Sequence, residues 1–577
     1  MKSFTSLIIA VFLLGHTSSV LGSNERYASS GSGRKPSANR TANITVVPVG
    51  PTQSEIDAAK IRAASAPAVE RLLAGTNSRA VAFEVVENGV TAAKRFKVYF
   101  YDYTNDRTIV AEGDLIGREG IRAYESTLIP GVSDTEINAA KKLIAIDPLF
   151  GPRLQSGALD VFEAMPPITV LNGERLINIG LSDRSTGESL IVGVSFKNSK
   201  LVRYANNAPP MSRATPESCG IASANQGSSG SGLSGQYLLT VTQNGTTIWE
   251  MTVVRPSASS GNVSERSGIE VRDVRYKGKS VLKRGHAPIL NVKYQNDVCG
   301  PYRDWQYSEG YFQIPTTGVT FPNGQGGGIA LLPAGTSAST VVETRNDTGN
   351  FQGVAIYQQD IGNGNEVVLV TEMNAGWYRY IMEWRFGNDG TIRPRYGFGS
   401  ISNSCVCSQR THHVYWRLDF DIVQPTNRVM RLERGRRFLS PITTESLLFK
   451  NYALNRGLLI QNSNGDEAYQ LIPGTNDGAV AAVDGTVFDP FGAGDFWIMR
   501  FSGTSDAPAE IDDQNLFGTT SAQLSPWLNG ESLVNQDVVI WYAAHQVRID
   551  DASLTQWKEN IIAGEHVVGP DIRPIRW

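Results

Sequence analysis

The segment Val367–Gly399, VVLVTEMNAGWYRYIMEWRFGNDGTIRPRYGFG, carries the clearest sequence evidence for the fold. It is rich in β-branched and aromatic residues, and Asp389-Gly390 marks a turn. Strand patterns of this kind dominate from about Gln236 to Trp577, with Gly, Asn and Asp turns at intervals of roughly 8–12 residues. They predict a mostly β chain in which residues 236–577 form a large antiparallel β-sandwich.

Upstream of the predicted sandwich the sequence repeats itself. Ser54–Lys60 (SEIDAAK) is echoed by Thr135–Lys141 (TEINAAK). Each copy begins a helix, with a polar cap and an acid in the first turn, and alternating strand patterns follow. The repeat predicts two small α+β (cystatin-like) modules over residues 53–128 and 129–205, each with one helix packed on an antiparallel sheet.

Two segments are rich in residues that break regular structure. Residues 23–52 and the Ser/Gly-rich residues 206–235 are predicted to be flexible linkers.

The chain begins like a secreted protein. Lys2 precedes the apolar run Leu7–Leu14, and small residues mark a cleavage site after Gly22, so residues 1–22 are predicted to be a signal peptide. No later apolar run is long enough to span a bilayer. We therefore expect an extracellular protein. The candidate glycosylation sites are Asn39, Asn43, Asn244, Asn262 and Asn346.

Four cysteines, an even number, suggest two disulfides in a secreted chain: Cys219, Cys299, Cys405 and Cys407. Cys405 and Cys407 are poorly spaced for a mutual bridge, so each is expected to pair with Cys219 or Cys299. Zinc binding by the Cys-Val-Cys pair is the alternative.

Charge excludes some functions. The 53 basic and 56 acidic side chains give a net charge of −3, whereas nucleic-acid binders and polybasic membrane binders usually carry a positive surplus. A hydrophobic content of 41% is enough for a packed core.

Several motifs together resemble one family. The Gly-X-Tyr-X-Tyr step at Gly376–Tyr380, the Trp384-X-Phe386 strand and the Asp-Gly-Thr-Ile turn resemble the strand pair of copper amine oxidases that carries the tyrosine precursor of topaquinone. Further similar segments follow in order: Arg417–Asp421, Tyr469–Pro473, Phe496–Arg500, Asp537–Trp541 and Ile572–Pro574. The resemblance covers most of residues 54–577, and it implies two small domains ahead of a catalytic sandwich.

The resemblance also implies the positions of the reacting groups. In that family, copper and oxygen convert a tyrosine into a quinone, the quinone condenses with a primary amine, and a carboxylate removes a proton from the substrate carbon. The precursor position is Tyr378, and the tyrosine that touches the quinone oxygen is Tyr294. The position of the catalytic aspartate is Ser308, with Glu309 next to it.

The implied copper ligands are largely replaced. The three imidazole positions fall on Arg410, His412 and Arg548, of which only His412 is a histidine. A guanidinium stays charged and cannot bind a metal, and it repels a divalent cation. His413 and His545 are expected to point to the opposite face of the sheet. A relocated copper site that uses His412, His545 and one other of the remaining histidines (His286, His413, His566) is the alternative.

The surroundings of Tyr378 also depart from the family pattern. Asn374 stands where the family has threonine, Trp377 where it has asparagine and Arg379 where it has an acid. Ala355 stands where a family cysteine is expected. Arg410 and Arg548 could line an anion pocket or pair with acids such as Asp419 or Asp550.

The first hypothesis is therefore a secreted protein with amine oxidase architecture, no copper or topaquinone, and a structural or binding role with an unknown extracellular partner. By resemblance it would be a homodimer. The alternatives are an active primary amine oxidase that releases H2O2, with copper and topaquinone, and a binder of anions or glycans that uses the vacated pocket.

One further motif stands apart from these functions. Arg434-Gly435-Arg436-Arg437 matches a basic processing site, and the alternative is a solvated hairpin tip.

Overall fold

The computed structural model describes residues 41–86, 95–115, 117, 120–185, 189–204, 219–222, 235–260, 266–294, 302–324, 326–361, 364–435, 437–478, 494–501, 524, 527–548 and 567–577. Outside these ranges lie the expected leader 1–22 and Asn39, Asn262, Cys299, Arg436, Asp550 and His566, and the side chain of Arg548 is not described.

The residues just before the first helix form a strand. β1 (Asn43–Pro48) pairs antiparallel with Gln236–Gln243, and Ile44 and Val46 pack against the main core. The prediction of a flexible linker over 23–52 is therefore wrong for this part. Three alternating apolar positions are enough for an edge strand once a partner strand is present.

The first module opens with a capped helix. The hydroxyl of Thr52 accepts from the backbone of Glu55, and the carboxylate of Glu55 accepts from the backbone of Thr52. The elements are α1 (Gln53–Ala64), α2 (Pro67–Leu73), β2 (Ser78–Val86), β3 (Arg95–Asp102), β4 (Arg107–Asp114) and β5 (Arg122–Ser126), with the sheet order β2-β3-β4-β5.

The second module repeats this plan. Ser133 and Glu136 form the same capping box. The elements are α3 (Asp134–Ala145), α4 (Gly151–Gln155), β6 (Leu159–Leu171), β7 (Glu174–Asp183), β8 (Ser189–Ser195) and β9 (Lys200–Arg203), with the sheet order β6-β7-β8-β9. Each module has a second short helix, which the prediction of one helix per module missed.

The two modules share one apolar core. Tyr101 and Tyr103 of the first module pack with Ile144 and Ile177 of the second. At this contact Glu136 forms a fully buried ion pair with Arg175 at 2.5 Å, and it also accepts from the hydroxyl of Tyr103. The repeat units therefore stabilise each other.

The remaining elements build the sandwich. They are β10 (Gln236–Gln243), β11 (Thr246–Val254), β12 (Glu270–Tyr276), β13 (Lys279–Tyr294), β14 (Tyr302–Arg303), β15 (Gly328–Leu331), α5 (Val341–Thr344), β16 (Gly353–Asp360), β17 (Asn365–Ala375), β18 (Tyr378–Gly387), β19 (Ile392–Ser400), β20 (Arg410–Phe420), β21 (Thr426–Glu433), β22 (Phe438–Ile442), β23 (Ser446–Leu448), β24 (Gly457–Asn462), β25 (Ala468–Ile472), β26 (Phe496–Arg500), β27 (Gln536–Arg548), β28 (Val567–Val568) and β29 (Asp571–Arg576). Short 3-10 helices span Pro256–Ala258, Ser404–Cys407 and Tyr452–Leu454.

Strand pairing produces two layers. One runs β1-β10-β11-β12-β13-β20-β27-β26-β23, and the other runs β15-β16-β17-β18-β19-β29-β25-β24-β21-β22. β21 also pairs with the start of β27, so the layers join at one side. Trp249, Trp384 and Trp416 are buried between them. The predicted fold class is confirmed.

The second expected linker is tied down in its middle. Cys219 and Ile221 form bridges with Asn403 and Ile401 at the end of β19. Residues 219–222 are thus attached to the sandwich, contrary to a linker that is flexible throughout 206–235.

Candidate functional site

Tyr378 is placed by a tight hairpin between the two central strands of the second layer. In the register of β17 with β18, Ala375 lies opposite Tyr378, which leaves Gly376 and Trp377 as the loop. Gly376 has φ +53°, and a Cβ there would lie 2.2 Å from Sδ of Met165. Both the backbone conformation and the contact from the second module therefore favour glycine.

The hydroxyl of Tyr378 is hydrogen-bonded to Tyr294, which in turn accepts from Trp377. Tyr294, the last residue of β13, shares a short hydrogen bond with it. The indole Nε1 of Trp377 donates to the hydroxyl of Tyr294 at 2.9 Å. Trp377 thus makes a hydrogen bond of its own at a position where the resemblance implies an asparagine.

His412 reaches this group from the opposite layer. Its ring centroid lies 4.9 Å from that of Tyr378, edge to face, and 4.4 Å from that of Phe398. Tyr380 stacks on Tyr378 with centroids 5.3 Å apart. The structure therefore brings together Tyr378, Tyr294 and His412, three of the residues that the resemblance singles out.

Arg410 lies over the same phenol ring. Its guanidinium carbon is 5.4 Å from the ring centroid of Tyr378, and Nη1 donates to the carbonyls of Val406 and Ser408 at 2.7 and 3.2 Å. The residue is 1% exposed. Arg548 lies directly opposite Arg410 in the register of β27 with β20.

The suggested pairing of Arg410 with Asp419 is wrong. The two residues lie nine positions apart on β20, which is roughly 30 Å along an extended strand. Asp419 forms its ion pair with Arg417 at 3.4 Å.

The carboxyl group near Tyr378 comes from an unexpected position. Ser308 is half-buried, and its carbonyl accepts from the backbone of Asn374. Glu309 is engaged by Arg255, at 3.2 Å from Nε, and by the hydroxyl of Ser257 at 2.9 Å. A one-residue shift in register therefore supplies no available base.

Instead, the acid that contacts the cluster of Tyr378, Tyr294, Tyr380 and His412 is Asp304. It is fully buried, and one of its oxygens accepts from the hydroxyl of Tyr380, while Oδ1 has no hydrogen-bond partner. Burial raises the pKa of Asp304 well above its ordinary value, although the hydrogen bond from Tyr380 opposes this. An ungapped count from Tyr294 did not find it, because the count led to Ser308, whereas the contact of Asp304 with Tyr380 joins residues 76 positions apart.

Burial also sets the protonation of the phenols. It raises the pKa of Tyr378 well above the ordinary value, against the lowering effect of Arg410, and the pKa of Tyr380 rises for the same first cause. The phenols therefore keep their protons at neutral pH, and the cluster's permanent charge is the guanidinium of Arg410.

Arg379 faces away from the cluster. Its guanidinium forms a two-pronged ion pair with Asp347, at 2.5 and 2.9 Å, and donates to the carbonyl of Tyr378 at 3.0 Å. Arg379, at a position where the resemblance implies an acid, thus stabilises the strand that carries Tyr378.

His413 and His545 lie on the other face of the β20–β27 pair. Their Nδ1 atoms are 2.7 Å apart, and Nε2 of His545 lies 3.2 Å from Asp495. Burial lowers the pKa of His545 to about 4. Because His412 faces Tyr378 and His545 faces away from it, the sheet separates the two imidazoles. The relocated copper site would need these two imidazoles side by side, and the structure places them on opposite faces of the β20–β27 pair.

One of the expected cysteine pairs is present. Cys219 and Cys407 form a disulfide with a Cα–Cα distance of 5.0 Å, and Cys405 is disulfide-bonded as well. Cys405 and Cys407 therefore do not bridge each other, and a zinc site of thiolates is not available to them. The disulfide anchors the 3-10 turn Ser404–Cys407, and the guanidinium of Arg410 donates hydrogen bonds to carbonyls in and just after this turn.

A second polar cluster was missed by the sequence analysis. Carboxylate oxygens of Asp419, Asp421 and Asp537 lie within 4.8 Å of one another. Oδ1 of Asp419 is buried and has no hydrogen-bond partner. Oxygen ligands at this spacing suit a hard divalent cation such as Ca²⁺. The Asp-X-Asp spacing of Asp419 and Asp421 at the end of β20 is the sequence signal that could have predicted this cluster.

The expected modification sites within the described residues are at the surface. Asn43, Asn244 and Asn346 are exposed, as are Arg434 and Arg437. Among the residues that the structure describes, no helix combines the length and apolar character of a bilayer-spanning segment.

Known structures share this architecture. A copper-containing benzylamine oxidase from Hansenula polymorpha matches with a TM-score of 0.54 and 12% identity over 94% of each chain. An amine oxidase from Aspergillus nidulans matches with a TM-score of 0.54 and 14% identity, covering 94% of this chain and 90% of that one. A lysyl oxidase from Pichia pastoris gives 0.53 and 11%, covering 87% and 85%. The chain thus has the copper amine oxidase fold.

Sequence comparison adds nothing to this likeness. No family model matches the chain, and no curated protein sequence does. At these identities the likeness concerns the fold, and the chemistry has to be argued from the site.

Proposed function

We propose that this chain is a secreted protein that keeps amine oxidase architecture without copper–topaquinone catalysis and acts as a structural or binding component outside the cell, as a homodimer. The observation that carries the proposal is the buried guanidinium of Arg410, 5.4 Å from the ring centroid of Tyr378. A permanent positive charge therefore lies next to the phenol ring that bound copper would have to oxidise.

The residues present do not fit copper. Cu²⁺ is commonly held by several imidazoles, and the group around Tyr378 contains one, His412. Arg410 occupies a second implied ligand position and Arg548 lies opposite it. His413 and His545 cannot substitute, because they lie on the far face of the sheet.

The state of the phenol supports the same proposal. Burial and the hydrogen bond with Tyr294 raise the pKa of Tyr378, so that the phenolate is strongly disfavoured. Asp304 is held by Tyr380, and Glu309 is held by Arg255, so neither carboxyl group is positioned as a ready base for an incoming amine.

The test is metal and cofactor analysis of the protein purified from a secretory host with copper in the medium. We expect no stoichiometric copper, no stain for protein-bound quinone and no H2O2 release with benzylamine or a diamine. A known copper amine oxidase prepared in parallel is the positive control. Copper near one equivalent together with a modified Tyr378 peptide by mass spectrometry would overturn the proposal in favour of an active amine oxidase.

A gain-of-function variant sharpens the test. The double change Arg410→His and Arg548→His restores the implied ligand set around His412, and we expect measurable copper retention by this variant but not by the wild type. The matched control adds His412→Ala to the double variant and should lose the copper again.

A further inference from the structure

The hairpin between β21 and β22 carries a basic tip that has no role in the site around Tyr378. Arg434 and Arg437 are exposed, and the next residue, Phe438, is 55% exposed. Arg434 has φ +52° and Gly435 has φ +64°, and the register Glu433↔Phe438 leaves residues 434–437 between the two strands. Loop tips of this kind are preferred sites of proteolytic nicking.

The strand that follows the tip is weakly attached. Among the described residues, β22 pairs with β21 alone, over Val429↔Ile442 to Glu433↔Phe438. Its side chains are mostly exposed, with Leu439 at 46%. A five-residue edge strand with little buried surface opens at low cost, and proteases cut chains that open locally.

We propose that the Arg437–Phe438 peptide bond is a processing site for a subtilisin-like endoprotease that recognises arginine on the carbonyl side of the cut and again three residues before it. Arg437 and Arg434 supply these two side chains. Water adds across the amide: the C–N bond breaks, Arg437 becomes a terminal carboxylate and Phe438 a terminal ammonium, with no change in oxidation state.

The same Arg-X-X-Arg spacing also occurs at Arg431–Arg434, which ends at the same tip, at Arg573–Arg576 in β29, which pairs with β25, and at two pairs inside other paired strands. Arg272 and Arg275 lie in β12, where Arg272 is 2% exposed and pairs with Glu270 at 2.6 Å. Arg428 and Arg431 lie in β21, which has β22 on one side and β24 on the other. These strands cannot open without disrupting the sheet.

The product would be a two-chain molecule held together without a covalent link. All four cysteines precede residue 438, so no disulfide can join fragment 438–577, which has 140 residues, to the rest. β27 from that fragment pairs with β20 along its whole length, Arg410↔Arg548 to Phe420↔Val538. The nicked protein should therefore stay assembled under native conditions and separate in detergent without reduction.

The experiment treats the purified full chain with a subtilisin-like convertase of Arg-X-X-Arg specificity. The readouts are a non-reducing denaturing gel, size exclusion under native conditions, and N-terminal sequencing of the smaller fragment. We expect one cut, a fragment that begins Phe438-Leu439-Ser440, and co-elution of the two pieces.

Substitutions identify the residues that carry recognition. Arg437→Gln should abolish the cut, and Arg434→Gln should slow it by about tenfold or more. The matched control Arg428→Gln has the same chemistry on the same hairpin and should be cut like the wild type. Unchanged thermal midpoints in all three variants show that the fold is intact.

Two results would overturn the proposal. One is a native chain that resists the protease while the urea-unfolded chain is cut after Arg437, because the hairpin would then protect the bond. The other is a first cut elsewhere, including after Arg434, which would give a fragment that begins at Gly435.

Discussion

Asp421, at the end of β20, should make the free energy of unfolding fall as pH rises. The substitution Asp421→Asn should remove this dependence. Asp421 lies within the cluster that Asp419 and Asp537 complete. Burial, and secondarily the charge of Asp419, raise the pKa of Asp421 from 3.8 to about 7. The folded protein therefore holds this proton more tightly than the unfolded chain does.

The magnitude follows from that difference. At about 1.36 kcal/mol per pH unit, a pKa of about 7 instead of 3.8 corresponds to about 4 kcal/mol. Below pH 3.8 both states are protonated and the carboxyl group has no effect. As pH rises from 3.8 to 7 the unfolded chain loses the proton first, so stability falls, and above pH 7 the loss is complete.

The assay is urea unfolding of wild type and Asp421→Asn at several pH values from 4 to 8.5. The variant should be about as stable as the wild type near pH 4 and more stable by up to about 4 kcal/mol at pH 8. Asp57→Asn, at an exposed site on α1, is the control and should follow the wild-type profile.

A divalent cation provides an independent check on the same cluster. At pH 8, Ca²⁺ should raise the midpoint of the wild type, because it neutralises the carboxylates, and should have a smaller effect on Asp421→Asn. Parallel pH profiles for wild type and variant, with equal responses to Ca²⁺, would refute the reasoning.

Three further changes test other parts of the fold. Glu136→Gln leaves the buried charge of Arg175 without its carboxylate and should cost about 3–5 kcal/mol in urea unfolding. Cys407→Ser opens the bridge to Cys219, which spans 188 residues, and should cost about 2–5 kcal/mol in the same assay. Gly376→Ala forces a methyl group into the second module at a positive φ and should lower the thermal midpoint.

Each of these changes has its own control or contrary result. Glu55→Gln alters the matching capping box on an exposed helix end and should cost only about 1 kcal/mol, so equal effects at Glu55 and Glu136 would contradict the buried ion pair. A reducing agent should destabilise the wild type at least as much as Cys407→Ser does. An unchanged midpoint for Gly376→Ala would mean that Met165 is not packed against the hairpin.

Much of the fold could be predicted from short stretches of sequence. Alternating apolar residues indicated the strands, and the repeated acid and alanine pattern located α1 and α3. The edge strand β1 was missed because Ile44 and Val46 gain their burial only from a partner nearly 200 positions away, as the pair Ile44↔Val241 shows. Local patterns carry little information about such a partner.

The site was predictable in part. The position of Tyr378 followed from the resemblance of Gly376–Tyr380 to the family's quinone-bearing strand pair, because that motif lies within a few neighbouring residues. Asp304 and the stacking of Arg410 did not follow, because each depends on a contact between residues far apart in the chain, Asp304 with Tyr380 and Arg410 with Tyr378. Counting along the chain therefore chose Ser308, where the folded chain presents Asp304.

Local sequence patterns were sufficient for the two capped modules and the β-rich sandwich, whereas the residues around Tyr378 came from the family resemblance. The modules and the sandwich depend on residue type and on spacings of two to four positions, which the backbone geometry of strands and helices translates directly into faces and caps. The tertiary structure alone decided which face His413 and His545 share, which cation lies over the phenol, and which acid joins it. Those outcomes depend on the register between strands far apart in the chain, where a shift of a single residue would turn each side chain to the other face.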